Sequence, residues 1–184
     1  MTLAAAALLF LLPPPATAPV NLDFRVSALN GATVSMTDMR GDKLTVVAFI
    51  AAKCPISQAY QARLTSLYQK YSQNKGAVGF AILNSNANET IPELQKLAVG
   101  FPVYKDFHNR VADALDAQTT PEVFVIDAAG KVRYRGAIDD ATNEARVKVH
   151  GLRDAIEAVL SDREPAVKEL KAFGCVLKRD NKPN

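Results

Sequence analysis

The order of apolar segments in this chain predicts an α/β fold built around a mixed sheet. Three observations carry that reading. Residues 43–52 form an almost unbroken apolar run, the pattern of a strand buried on both faces. Residues 57–71 follow with Tyr60, Leu64, Leu67, Tyr68 and Tyr71 spaced by three and four, one face of an amphipathic helix. Further on, residues 122–127 and 131–136 flank Ala128-Ala129-Gly130 as the two arms of a hairpin. Strand, helix, strand, helix and then a hairpin with a closing helix needs strands running both ways.

Taken in order, residues 24–29 and 33–36 flank Asn30-Gly31, a two-residue hairpin signal. The apolar run at 43–52 is bounded by Gly41 and by the Cys54-Pro55 step. Residues 79–83 read as a second apolar strand, and the connection from 43 to 83 has the length of a right-handed crossover. A short helix over 91–99 carries Pro92 near its start, and 109–115 makes a further helical turn or two. Leu152, Ile156, Val159 and Leu160 mark a helix face, and 167–173 reads as one more helix.

Composition excludes several classes. The chain has 184 residues, 48% of them hydrophobic and 22% charged, with 22 basic against 19 acidic side chains. That suits one domain with a sizeable core, and neither disorder nor several membrane spans. Two cysteines are too few for a disulfide scaffold or a four-cysteine zinc site. His108 and His150 lack zinc-ligand spacing, so no metal is expected, and no nucleotide-binding motif calls for a cofactor. The basic residues near the C-terminus alternate with Glu169 and Asp180 and read as a solvated face rather than a nucleic-acid surface.

The first residues have their own character. An Ala/Leu/Phe run ends at Leu12, followed by three prolines and Ala16-Thr17-Ala18, the small-x-small pattern before a cleavage site. Residues 1–18 therefore read as a signal peptide and 19–184 as the single mature domain, exported to the periplasm or the extracellular space. No Lys or Arg precedes the run, so a frayed terminus or a poorly inserted anchor is the competing reading. Beyond this segment nothing suggests a membrane.

Chemistry concentrates at Lys53-Cys54-Pro55-Ile56-Ser57. Cys54 falls where the buried strand ends and the helix begins, with Pro55 at the first helical position. Unpaired backbone N–H groups and the positive end of the helix favour thiolate there, and Lys53 adds a charge if it faces the same way. The alternative is a small buried core cysteine. Thr120-Pro121 directly precedes an apolar strand, where proline removes a ladder donor; its bond is an ordinary trans one unless the loop has a special role.

Together these features resemble the thioredoxin-fold redoxins, in the branch that holds alkyl-hydroperoxide-reductase-like (AhpC/TSA) and exported thiol–disulfide proteins. The resemblance also draws on Phe101-Pro102-Val103, Asp106 and Tyr134-Arg135-Gly136. Gly174-Cys175-Val176-Leu177-Lys178 looks like the second-cysteine motif of a peroxiredoxin-like subgroup. It implies a thioredoxin-like fold, a central mixed sheet with helices on both faces. It also implies that Cys54 is the reactive cysteine, that Thr120-Pro121 is a cis-proline loop beside it, and that Cys175 is its candidate partner. Pro55, Ser57, Thr120 and Pro121 would then line the substrate position, with a thiol or disulfide protein, or a peroxide, as partner.

The departures are specific. Ser57 stands where thioredoxins carry a second cysteine, and is expected to bond the Cys54 sulfur or cap the helix. Ala51 replaces the peroxiredoxin threonine, and the arginine beside the thiolate has only Arg133 or Arg135 as substitutes. Three readings stay open for Cys175, a resolving thiol, a structural staple for the tail, or a free thiol independent of Cys54. The rival to an oxidoreductase is a non-catalytic binding module, or one carrying copper through Cys54.

Overall fold

The computed structural model describes residues 19–73 and 76–180; the expected signal segment, 1–18, lies outside them. Strands β1 (Arg25–Ala28) and β2 (Thr33–Ser35) form the N-terminal hairpin. Its loop has three residues rather than two, closed by Ala28 N–H donating to the Ala32 carbonyl at 2.8 Å. Gly31 takes the positive φ of +87° that this loop requires, and the Asn30 side chain accepts from Ala32 N–H.

The central strand β3 (Leu44–Phe49) is buried along its whole length. Its alternate residues feed two different cores, which accounts for the unbroken apolar run. Leu44, Val46 and Ala48 pack with Leu64 and Tyr71 of one helix and with Leu152, Ile156 and Val159 of another. Val47 and Phe49 face the opposite side, among Met36, Met39, Val111, Ala112 and Leu115. Helical segments therefore cover both faces of the sheet, as expected.

After β3 come α1 (Pro55–Ala59), α2 (Gln61–Ser72) and β4 (Val78–Asn84), the last parallel to β3. The one helix expected over 57–71 is thus two, interrupted at Tyr60, whose N–H turns back to the Ser57 carbonyl at 3.2 Å. The Tyr60 ring is buried at that junction and its hydroxyl donates to Asp139. Next are α3 (Ile91–Leu94), β5 (Tyr104–Lys105) and α4 (Arg110–Ala114). Helix α3 stops well short of 99, because bonds three residues apart tighten the turn at Lys96 and Leu97.

The remaining elements are β6 (Thr119–Thr120), β7 (Glu122–Asp127), β8 (Val132–Gly136), α5 (Gly151–Leu160), β9 (Glu169–Leu170) and β10 (Cys175–Val176). The described strands form an eight-stranded mixed sheet in the order β2-β1-β5-β4-β3-β7-β8-β9, and a separate ribbon pairs β10 with β6. The helix expected over 167–173 is absent and β9 stands in its place, parallel to β8. Open donors on the β8 edge decide this. Arg135 and Ala137 N–H groups reach the Lys168 and Leu170 carbonyls at 3.0 Å each, and a helix could not supply those acceptors. Among the described residues no helix is long and apolar enough to cross a membrane.

Candidate functional site

The site lies where β3 ends. Cys54 is the N-cap of α1, in extended backbone conformation, and Pro55 occupies the first turn, where its missing N–H leaves no bond unmade. The Ser57 N–H donates to Cys54 Sγ at 3.4 Å. The Thr120 carbonyl oxygen lies 3.3 Å from the same sulfur, placed to accept the S–H of a reduced thiol. The Thr120–Pro121 bond is cis. Cys54, Pro55, Ser57, Thr120, Pro121 and Cys175 are thus brought together around one sulfur.

Cys175 arrives from the far end of the chain. It is disulfide-bonded to Cys54 across 121 positions, with the Cα atoms 5.9 Å apart. The pairing of β10 with β6 delivers it, setting Cys175 opposite Thr120 and Val176 opposite Thr119. Gly174 makes the approach possible, since a Cβ there would sit 2.1 Å from the Thr120 carbonyl oxygen. Cys54 is 2% exposed, whereas Cys175 is only partly buried.

Some expected contacts are not made. The Ser57 hydroxyl does not bond the sulfur; it accepts from Ala51 N–H at 2.9 Å, tying the strand exit to the helix start. Lys53 turns away, toward the Asn88 carbonyl at 2.8 Å and the Glu93 carboxylate at 2.9 Å. Arg133 pairs with Asp127 and Glu164, and Arg135 with Glu122 while lying over the Phe124 ring. These partners, not the cysteine pair, hold the two arginines.

Two glutamates that sequence reasoning passed over fix the loops on either side of the sulfur. Glu89, buried, accepts from the Ala52 and Lys53 N–H groups at 2.8 and 2.7 Å. Glu122, also buried, accepts from the Gln118 and Thr119 N–H groups at 2.7 and 3.1 Å. The first pair of donors directly precedes Cys54 and the second directly precedes Thr120. Glu122 opens a predicted strand and Glu89 precedes a predicted helix, but which backbone each meets depends on the fold.

A buried polar cluster supports the Glu89 side. Lys105 Nζ donates to Asn84 Oδ1 and to the Asn86 carbonyl, and desolvation lowers its pKa against the pull of Glu89 and Asp106. Burial raises the pKa of Asp106, which accepts from Ser85 Oγ and from the Val111 and Ala112 N–H groups. His108 faces Asp180, and among the described residues no group of three or more His, Cys, Asp and Glu could hold a metal ion.

Comparison with known proteins bears on the fold and the family. The chain is similar to an uncharacterized conserved protein from Geobacillus kaustophilus, at 28% identity and a TM-score of 0.80 over 92% of this chain and 94% of that one. It is similar to a hypothetical protein from Sinorhizobium meliloti 1021, at 25% identity and a TM-score of 0.77 over 92% and 97%. A secreted Mycobacterium tuberculosis disulfide oxidoreductase homologous to E. coli DsbE shares the fold, at 20% identity and a TM-score of 0.51 over 60% and 81%. No curated protein matches. The fold is thioredoxin-like. The model of the AhpC/TSA family matches residues 17–135, a span that includes Cys54, the cis-proline and both pinned loops, and the chain belongs to that family.

Proposed function

We propose that this protein is an exported thiol-dependent oxidoreductase in which the Cys54 thiolate attacks a peroxide or a disulfide and Cys175 resolves the product. The carrying observation is the Cys54–Cys175 pair held beside the cis Thr120–Pro121 bond. With a hydroperoxide, the thiolate breaks the O–O bond and takes one oxygen as a sulfenic acid, and the alcohol leaves after protonation. Cys175 then attacks that sulfur, expelling water and forming the disulfide. With a disulfide substrate, the thiolate displaces one thiolate to give a mixed disulfide, and Cys175 displaces the second. In either case two external thiols return the pair to the dithiol.

Physical support comes from the surroundings of the sulfur. The Ser57 N–H favours the thiolate, and Pro55 starts α1 directly after Cys54 without leaving an N–H unpaired. Pro55, Ser57, Thr120 and Pro121 shape the substrate position. The reading of residues 1–18 as a signal peptide supports export, and a structural relative is described as secreted.

Alkylation mass spectrometry in defined glutathione buffers tests the proposal. A couple with a potential above about −250 mV is expected, the range of labile, catalytic disulfides. A bond that resists reduction below about −300 mV would make Cys175 a staple and the protein a binding module.

A further inference from the structure

Cys175 is not carried on a free end. Upstream, β9 is paired with β8, and Phe173 packs edge-on against Tyr60 with ring centroids 6.0 Å apart. Downstream, Leu177 is buried in the core and its N–H donates to the Gln118 carbonyl at 2.9 Å. Lys178 is held to the 86–87 loop by two bonds, its N–H donating to the Asn86 side-chain Oδ1 at 2.7 Å and its carbonyl accepting from Ala87 N–H at 2.8 Å. Arg179 bonds Asp113 and the Ala117 carbonyl, and Asp180 N–H donates to Asn109 Oδ1 at 2.7 Å. The disulfide is one tie among many.

This segment also occupies the backbone edge nearest the sulfur. The Leu177-to-Gln118 bond and the register of Cys175 against Thr120 use the β6 edge along its length. An extended polypeptide can add only to a free edge. Reduction breaks the S–S bond but removes none of the anchors at 169–173 or 177–180.

We propose that residues 169–180 form a fixed strap that stays across the β6 edge in both redox states, so that Cys54 takes compact oxidants and excludes disulfides carried on extended polypeptides. The proposal rests on the reading of Cys54 as the nucleophile. It follows that Cys175 stays beside Cys54 after reduction, so that resolution is intramolecular at high effective concentration.

Amide hydrogen exchange on the full chain, oxidised and reduced, tests the strap. Protection at Ala87, Leu177, Lys178 and Asp180 is expected to change by less than about tenfold on reduction, and a fall of about a hundredfold or more would overturn a fixed strap. Selectivity is read with two probes bearing the same thionitrobenzoate leaving group, one on cysteine amide and one on the cysteine of a 20-residue unstructured peptide. Cys54 displaces thionitrobenzoate from either probe, and Cys175 then displaces the probe thiolate. The small probe should react at least about tenfold faster with the full chain, since strand addition is blocked. The double variant Leu177→Ala, Arg179→Ala, which loosens the strap, should close most of that gap by raising the peptide rate. Equal rates on the unaltered chain would overturn the selectivity. Reaction with neither probe would overturn the nucleophile reading and the selectivity with it, while the exchange result still decides the strap.

Discussion

Glu89 and Glu122 hold equivalent pairs of N–H groups but divide their oxygens differently, and the difference is measurable. In Glu89 one oxygen takes Ala52 N–H and the other takes Lys53 N–H. In Glu122 a single oxygen takes both Gln118 and Thr119, and the other faces Arg135 at 3.5 Å. Glutamine has one acceptor oxygen, so Glu89→Gln turns an amide N–H₂ toward a backbone donor and leaves that donor unpaired. We expect it to destabilise the oxidised protein by about 1–3 kcal/mol in urea unfolding. Glu122→Gln can keep its oxygen on both donors and loses only the long pair with the partly exposed Arg135. Its effect is expected below about 1 kcal/mol. The reverse order of the two values would contradict the assignment of donors.

Among the elements, α3 depends on charge more than its length suggests. Its start is a capping box in which Glu93 accepts from the Thr90 N–H at 2.8 Å and from the Thr90 hydroxyl, and also faces Lys53. The Thr90 N–H, with Lys53 second, holds the Glu93 carboxyl down at about 2 against an ordinary 4.5. Because the folded value is the lower one, the stabilisation is complete above 4.5 and disappears as pH falls through about 2. Glu93→Gln removes that titration. Between pH 5 and pH 2 the unaltered chain should therefore lose more stability than the variant, and a carboxyl NMR titration should place Glu93 near 2. Parallel acid profiles for the two proteins would show that the cap contributes nothing by its charge. Lys53, next to Cys54 in sequence, thus works for α3 rather than for the sulfur.

At the scale of the whole molecule, the disulfide joins the exit of the central strand to the tail. A closure of 121 residues contributes about 5 kcal/mol on the chain-entropy account. Cys175→Ser should lower the unfolding free energy of the oxidised protein by up to about that amount while far-UV circular dichroism stays near native, because both cores form without the pair. An unchanged denaturation midpoint would mean that the bond is not formed. The sequence by itself determined the α/β order, the doubly buried β3, the Cys54-Pro55 junction and the family, since each rests on local periodicity or on a motif of adjacent residues. It misassigned 167–173, because a short apolar spacing fits a helix or a strand and the open edge of β8 made the choice. It gave Glu89 and Glu122 no role at the site and left the direction of Lys53 open, because a side chain's partner lies across the fold rather than along the chain. The resemblance implied a cis Thr120–Pro121 bond and Cys175 as partner of Cys54, while the residues by themselves left both open; the tertiary structure decided them. The second depends on β10 lying along β6, a long-range pairing of two-residue strands whose partner lies 55 positions away in the chain.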